Sequence, residues 1–245
     1  ARGDDFVLFQ RGAAPGSQTF ACCFAGDHSA TFVGLTSVIY GGLSIAACGF
    51  PFWGSDIGGY LGFSDEDVYI RWVEFGCFSP IMRFHGTEPR EPWEYSNEAV
   101  EIYKRYIWIR ENLLDYSYSI AVNAHNTGIP MIRTLGMEFP DNRDISICSD
   151  QYFYGKDLMV APVHEAAISR QVIFPPGKWV NLWNGEIIEG SCSKNVDAPL
   201  NEIPVFWKDG AVVPVRLNES LEWGMSMTKS CISALVITPP DRKKL

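Results

Sequence analysis

Six ionisable side chains within the first 85 residues could do chemistry together: Arg11, Asp27, His28, Asp56, Arg83 and His85. Each follows a short apolar run and precedes a turn, so each falls where a strand would end and a loop begin. Two carboxylates on one rim suit cleavage of a glycosidic bond, with one group as acid and the other as base or nucleophile. Both aspartates could instead cap the helices that follow, since Asp is a favoured capping residue. The glycines beside them, in Gly26-Asp27 and Asp56-Ile57-Gly58-Gly59, are unlike ordinary caps and would let backbone approach a ligand closely. Phe24, Phe52, Trp53, Tyr60 and Trp93 lie nearby and could stack on sugar faces, although core packing would use the same rings. A metal site built on Asp27, His28, Asp56 and His85 has little support, because the four histidines show neither HxH nor HExxH spacing. No cofactor or metal is implied.

The elements that must carry these residues alternate in kind. Phe6–Phe9, Thr19–Phe24, Phe50–Trp53 and Pro80–Phe84 read as strands. Ala30–Ala47 reads as a helix with Gly34, Gly41 and Gly42 placed for close packing. A second helix begins at Ser64, ahead of acids that suit a helix N-terminus, and runs to about Gly76. A long third helix runs from Ser96 to about Asn126, stopped by Gly128 and Pro130. Strand, loop and helix in repetition make a parallel α/β sheet whose catalytic groups gather at the C-terminal strand ends. Only about four strands are visible, so residues 1–128 are expected to form half of a (β/α)₈ barrel, about strands 5–8. After Pro130 the pattern becomes short apolar runs between Gly and Pro turns: 158–163, 171–174, 178–183 and 211–215. Residues 129–220 are therefore expected to form an all-β sandwich, and residues 221–245 a tail or the truncated start of a further domain.

Composition narrows the classes. The 245 residues are 47% apolar, enough for a sizeable core, and carry a formal charge of −9. An acidic chain whose longest basic run is Arg242-Lys243-Lys244 is a poor nucleic-acid binder. No apolar stretch approaches the length of a membrane span. Seven cysteines without CxxC or paired spacing read as buried, reduced thiols of a cytoplasmic protein. Self-association into a homo-oligomer is compatible with all of this.

Five groups of residues, in order, resemble glycoside hydrolase family 31, the α-glucosidases and α-xylosidases. The first is Arg11 with Gly16-Ser17-Gln18 and then Phe24-Ala25-Gly26-Asp27. The second runs from Gly49 to Tyr60 and contains Gly54-Ser55-Asp56-Ile57-Gly58-Gly59-Tyr60. Arg71-Trp72, Arg83-Phe84-His85-Gly86 and Pro92-Trp93 form the third. Gln151-Tyr152, Gly155 and Leu158–Val163 form the fourth, and Lys178–Trp183 with Ile203–Phe206 the fifth. The resemblance covers residues 6 to about 217.

That resemblance implies retaining hydrolysis of terminal α-glycosidic bonds, with an oligosaccharide or small α-glycoside as ligand. Asp27 would be the general acid/base. Arg11, Phe24, Trp53, Asp56 and His85 would bind the substrate. Two departures stand out. The family's nucleophile lies on a "W-x-D-M" type segment upstream of anything like Arg11, and here only Asp4 and Asp5 precede Arg11. Phe24 also stands where the family usually has Trp. The chain is therefore expected to carry the acid/base without the nucleophile, to need the N-terminal half of a longer or split enzyme, and to turn over little alone. A non-catalytic carbohydrate-binding protein or an inactive fragment is the alternative. Tyr60 and Gly41-Gly42-Leu43-Ser44 resemble the α-xylosidase and sulfoquinovosidase branches; α-glucosidase and α-xylosidase rank equal, with sulfoquinovosidase behind.

Overall fold

The computed structural model describes residues 3, 6–20, 22–226 and 232–237. The expectations for Asp4, Asp5, Cys231 and the basic run at 242–244 lie outside the described residues.

Strands β1 (Phe9–Gln10), β2 (Cys22–Phe24), β3 (Trp53–Asp56) and β4 (Ile81–Arg83) pair in that order, all parallel. Helix α1 (Phe32–Ala47) joins β2 to β3, and α2 (Glu66–Cys77) joins β3 to β4. Helices α3 (Asn97–Asn112) and α4 (Leu114–Thr127) follow. This is the expected open portion of a TIM barrel. Strand parity sorts the side chains. Trp53 packs edge-on to Phe75 of α2, and Ser55 accepts the Trp72 indole N–H at 3.1 Å, so both face the helix layer. Asp56 then takes the opposite, barrel-side face.

Local chemistry moves several boundaries. The run Phe50–Trp53 contributes only its last residue to β3, because Pro51 has no amide to donate to a ladder. The second helix starts at Glu66 with Asp65 as its N-cap; the Ser64 hydroxyl is engaged instead with Tyr95 Oη at 2.7 Å. The single long helix is two, broken at Leu113. There the Asn112 side chain turns inward, donating to Arg216 O at 2.7 Å and accepting from Gly224 N–H at 2.9 Å. At Gly42 of α1 an added Cβ would meet the Trp53 ring at 2.6 Å, so glycine there lets helix and sheet close up.

The second part is antiparallel. Its six-stranded sheet runs β10 (Ile187–Glu189), β9 (Lys178–Asn181), β12 (Val205–Lys208), β7 (Leu158–Val160), β6 (Tyr152–Tyr154) and β5 (Ile132–Thr134). Strands β8 (Ser169–Phe174) and β11 (Cys192–Asp197) form a separate hairpin. Phe153, Met159, Trp179 and Phe206 point from the sheet into a core shared with Val172 and Phe174 of β8, which makes the sandwich. The alternate residues Tyr152, Tyr154, Leu158, Val160, Val205 and Trp207 point the other way, into the core of the barrel helices. The expected division near residue 220 falls between β13 (Val212–Leu217) and β14 (Ile232–Ile237), which are paired residue for residue.

A buried ion pair ties the two parts together. Arg71 donates to Glu74 at 3.0 Å, and also to the carbonyls of Pro199 at 3.1 Å, Ala167 at 3.0 Å and Ala198 at 2.6 Å. Tyr106 of α3 reaches the other Glu74 oxygen at 3.1 Å. Burial pushes the Glu74 carboxyl up to about 7, against the pull of Arg71. Thr36 Oγ1 on α1 makes a second tie, 3.1 Å from His164 Nδ1. Among the described residues, no helix is long and apolar enough to cross a membrane.

Candidate active site

The four parallel strands deliver their polar residues to one edge. Arg11 follows β1, Asp27 and His28 follow β2, Asp56 ends β3, and Arg83 ends β4 with His85 just beyond. The two carboxylates are each held by an arginine. Arg11 Nη2 donates to Asp27 Oδ1. Arg83 donates to Asp56 Oδ1 from Nε at 2.7 Å and from Nη2 at 2.6 Å.

The carboxylates differ in surroundings. The Asp27 side chain is 33% exposed, whereas that of Asp56 is 1% exposed. Burial raises the Asp56 pKa; Arg83 and, behind it, His85 pull against this, and the Asp27 charge adds to it. Asp56 Oδ2 is buried and has no hydrogen-bond partner among the described residues. A buried unpaired carboxylate oxygen is costly and calls for a donor. One hydroxyl arriving at the rim would supply it.

The loop after β3 is braced by residues that the spacing of ionisable groups did not flag. Gly59 has φ +81°, and a Cβ there would lie 2.6 Å from Ala30 Cα and 2.7 Å from Ser29 O. Gly59 therefore serves close approach to the neighbouring loop after β2. Arg90, 4% exposed, donates to the carbonyls of Gly59 (2.8 Å), Pro89 (3.0 Å), Glu88 (3.2 Å), Tyr60 (3.4 Å) and Gly62. An arginine between two prolines, Pro89 and Pro92, was its sequence signal. Gly59→Ala is expected to destabilise the protein by more than about 1 kcal/mol, because a β-carbon is both strained at that φ and blocked by backbone. A thermal melt of the purified variant checks this; an unchanged midpoint would show that the two loops separate freely.

The structure gathers Arg11, Asp27, Asp56 and His85 at the rim. His85 is exposed, with its ring 5.3 Å from that of Tyr60. Trp53 is not with them. It is 2% exposed and packed between α1 and α2, because it sits three residues before Asp56 and so faces the helix layer. Phe24 reaches the rim, but its ring already carries the guanidinium of Arg83 at 4.3 Å and lies 5.4 Å from that of Arg11. It is a plate beside two cations. Arg83, which the spacing marks only as a rim residue, is the side chain that holds Asp56. Among the described residues, no three His, Cys, Asp or Glu side chains gather as a metal ion would require.

Comparison with known proteins identifies both parts of the chain. Residues 2–120 match the glycosyl hydrolases family 31 TIM-barrel domain, and residues 128–213 match the glycosyl hydrolase family 31 C-terminal domain. An α-xylosidase of Saccharolobus solfataricus is 33% identical over 85% of this chain and 30% of its own length. An α-glucosidase of the same organism is 34% identical over 99% of this chain and 36% of its own. Among solved structures, the cycloalternan-forming enzyme of Listeria monocytogenes, in complex with a pentasaccharide substrate, superposes with a TM-score of 0.91 at 28% identity, covering 95% of this chain and 24% of that one. A family 31 dextranase of Flavobacterium johnsoniae, complexed with glucose, superposes with a TM-score of 0.85 at 32% identity, covering 95% and 30%. The chain thus spans roughly a third or less of the proteins it resembles. With both of its parts matched in order by the two domain models, this chain belongs to glycoside hydrolase family 31.

Proposed function

We propose that this chain supplies the acid/base side of a retaining α-glycosidase of the α-glucosidase or α-xylosidase type. The observation that carries this reading is the pair of arginine-held carboxylates at the ends of adjacent parallel strands, one of them buried with an unpaired oxygen. Asp27, partly open to solvent, would protonate the glycosidic oxygen and later take a proton from water. Arg11 would hold Asp27 in position. Asp56 Oδ2 would accept a sugar hydroxyl, and His85 would bind another.

Double displacement needs a second carboxylate about 5–5.5 Å from the acid, on the opposite face of the anomeric carbon. Asp56 suits that part poorly, since Arg83 holds one of its oxygens and the rest is buried. The nucleophile would then come from a segment that completes the barrel. Support for such a segment lies along the β1 edge. Phe6, Val7, Leu8 and Phe20 are 61%, 77%, 48% and 63% exposed around a groove of about 650 Å³. An open strand edge beside apolar side chains is a surface that further strands would cover. The described cysteines are free thiols, which suits a reducing compartment such as the cytoplasm.

The test is turnover of aryl α-glucoside and α-xyloside by the purified chain, alone and mixed with the N-terminal half of the S. solfataricus α-glucosidase. The expected result is no turnover alone, turnover in the mixture, and loss with Asp27→Asn. Turnover by the chain alone that vanishes in Asp27→Asn would place both carboxylates within this chain and overturn the split. Sugar binding without turnover in a folded mixture would favour a non-catalytic carbohydrate-binding protein.

A further inference from the structure

The loops after β2, β3 and β4 are joined backbone to backbone through one side chain. The carbonyl of His28, next to Asp27, accepts the amide N–H of Tyr60 at 2.8 Å and that of Leu61 at 3.0 Å. The oxygens of the same two peptide units, Gly59 O and Tyr60 O, accept Arg90 Nε at 2.8 Å and Arg90 Nη2 at 3.4 Å. Thr87 N–H, from the loop after β4, also donates to Tyr60 O at 2.8 Å. Two peptide units therefore run from the Arg90 guanidinium to His28 O, each with its oxygen on the cation and its N–H on the carbonyl beside Asp27. Hydrogen bonds in such a series polarise and strengthen one another. Arg90 also gathers its own loop, donating from Nη1 to Glu88 O and Pro89 O. Gly86, which follows His85, lies against the same guanidinium, where a Cβ would meet Nε, Cζ and Nη2 at 3.0 Å. Tyr69 of α2 anchors the whole, its hydroxyl donating to Arg90 O at 3.1 Å. A planar guanidinium with five donors in a fixed fork can serve two loops at once; an ammonium has three donors and no plane.

We infer that Arg90 is a positioning residue for the rim: through the Gly59 and Tyr60 peptide units it holds the loop that carries Asp27, and through Gly86 the loop that carries His85. The inference rests on reading Asp27 as the acid/base, and it adds a residue that acts on Asp27 through backbone alone.

The experiment has two arms, each on the wild type, Arg90→Ala and Arg90→Lys; the lysine variant keeps the charge and some of the donors should the alanine variant fail to fold. The first is amide hydrogen exchange of the purified chain, followed by NMR. The Tyr60 and Leu61 amides, which Arg90 does not touch, should exchange at least about tenfold faster in Arg90→Ala relative to the amides of β7 and β12, with Arg90→Lys in between. Unchanged protection at Tyr60 and Leu61 in a folded variant overturns the inference. So does an equal loss everywhere, which would make Arg90 a stability residue and nothing more. The second arm is turnover in the mixture with the N-terminal half of the S. solfataricus α-glucosidase. The kcat on an alkyl α-glycoside should fall by about 10–10²-fold, the cost of a slightly misplaced group, while glycosyl-enzyme formation from a dinitrophenyl glycoside, which needs no proton donor, is nearly spared. Equal loss on both substrates overturns the route to Asp27. A wild-type mixture without turnover would sink the acid/base reading alone, because amide exchange still decides whether Arg90 holds the Asp27 loop.

Discussion

Replacing Asp27 by Asn in the completed enzyme is expected to lower kcat on an alkyl α-glycoside by about 10²–10⁴-fold, the usual worth of a positioned proton donor. The loss should depend on the leaving group. An alkoxide cannot depart without a proton, whereas a dinitrophenolate can, so formation of the glycosyl-enzyme from a dinitrophenyl glycoside should be nearly spared. Its hydrolysis should still be slow, because the same residue must then act as base towards water. A small anionic nucleophile such as azide, which needs no base, should speed that second step and give an α-glycosyl azide. Removal of a nucleophile would instead suppress every substrate alike. The measurement is therefore a comparison of alkyl and dinitrophenyl substrates, with and without azide. Equal loss on both substrates and no rescue would show that Asp27 is not the acid/base. The geometry behind the expectation is simple: the Asp27 side chain is held by Arg11 and stays 33% exposed, where water can reach it.

Arg71→Met is expected to destabilise the protein by about 3–5 kcal/mol, because it leaves Glu74 buried without its counter-charge. That is a large share of a typical folding free energy of about 5–15 kcal/mol. The double variant Arg71→Met/Glu74→Met should recover only part, since the carbonyls of Ala167, Ala198 and Pro199 lose their donor in either case. Urea unfolding of the wild type and the three variants, Glu74→Met included, measures the coupling. Near-additive losses would mean that the pair does not act as a unit. The same carboxyl sets a pH dependence. Its pKa is raised from 4.5 to about 7 in the folded protein, so folding favours its protonated form. The stability this lends is fully present below pH 4.5 and is lost as pH rises through about 7. The urea midpoint should fall between pH 5 and pH 8, and Glu74→Gln should flatten that slope. A wild-type midpoint that rises over this range for reasons confined to Glu74 would reverse the sign assigned here.

Much of this was legible in the sequence because the signals were periodic. Alternating strand and helix patterns marked the barrel portion, and strand ends marked Arg11, Asp27, Asp56 and His85 as neighbours. Those residues are far apart in the chain, yet each strand end needs only its own local pattern to be found. What the sequence hid was parity. Trp53 and Asp56 are three residues apart on one strand, so they face opposite sides, and placing both at the site ignored the two-residue period. The break at Leu113 was hidden as well, because Asn112 bonds to Arg216 and Gly224, partners about a hundred residues on. Arg71, Arg90 and Arg110 were the other blind spot. A guanidinium that satisfies several backbone carbonyls looks, in sequence, like any surface arginine; Arg110 meets four, from Gly76, Cys77, Ser79 and Pro80.

The six-stranded sheet shows one face to the hairpin of β8 and β11 and the other to the helices of the barrel. Each of its central strands is thus written in two alternating alphabets, one read by each neighbour. Tyr152, Leu158 and Val205 answer to the barrel, and Phe153, Met159 and Phe206 answer to the hairpin. Exchange of segments between relatives is constrained accordingly. A graft cut near residue 128 would carry the barrel-facing letters into a foreign partner and leave Tyr116 and Tyr106 facing strangers, whereas one cut within the loops of the sandwich's outer hairpin would disturb only half of the message. Variation along this lineage should therefore accumulate first in β8 and β11, and last in the strands that two neighbours must both accept.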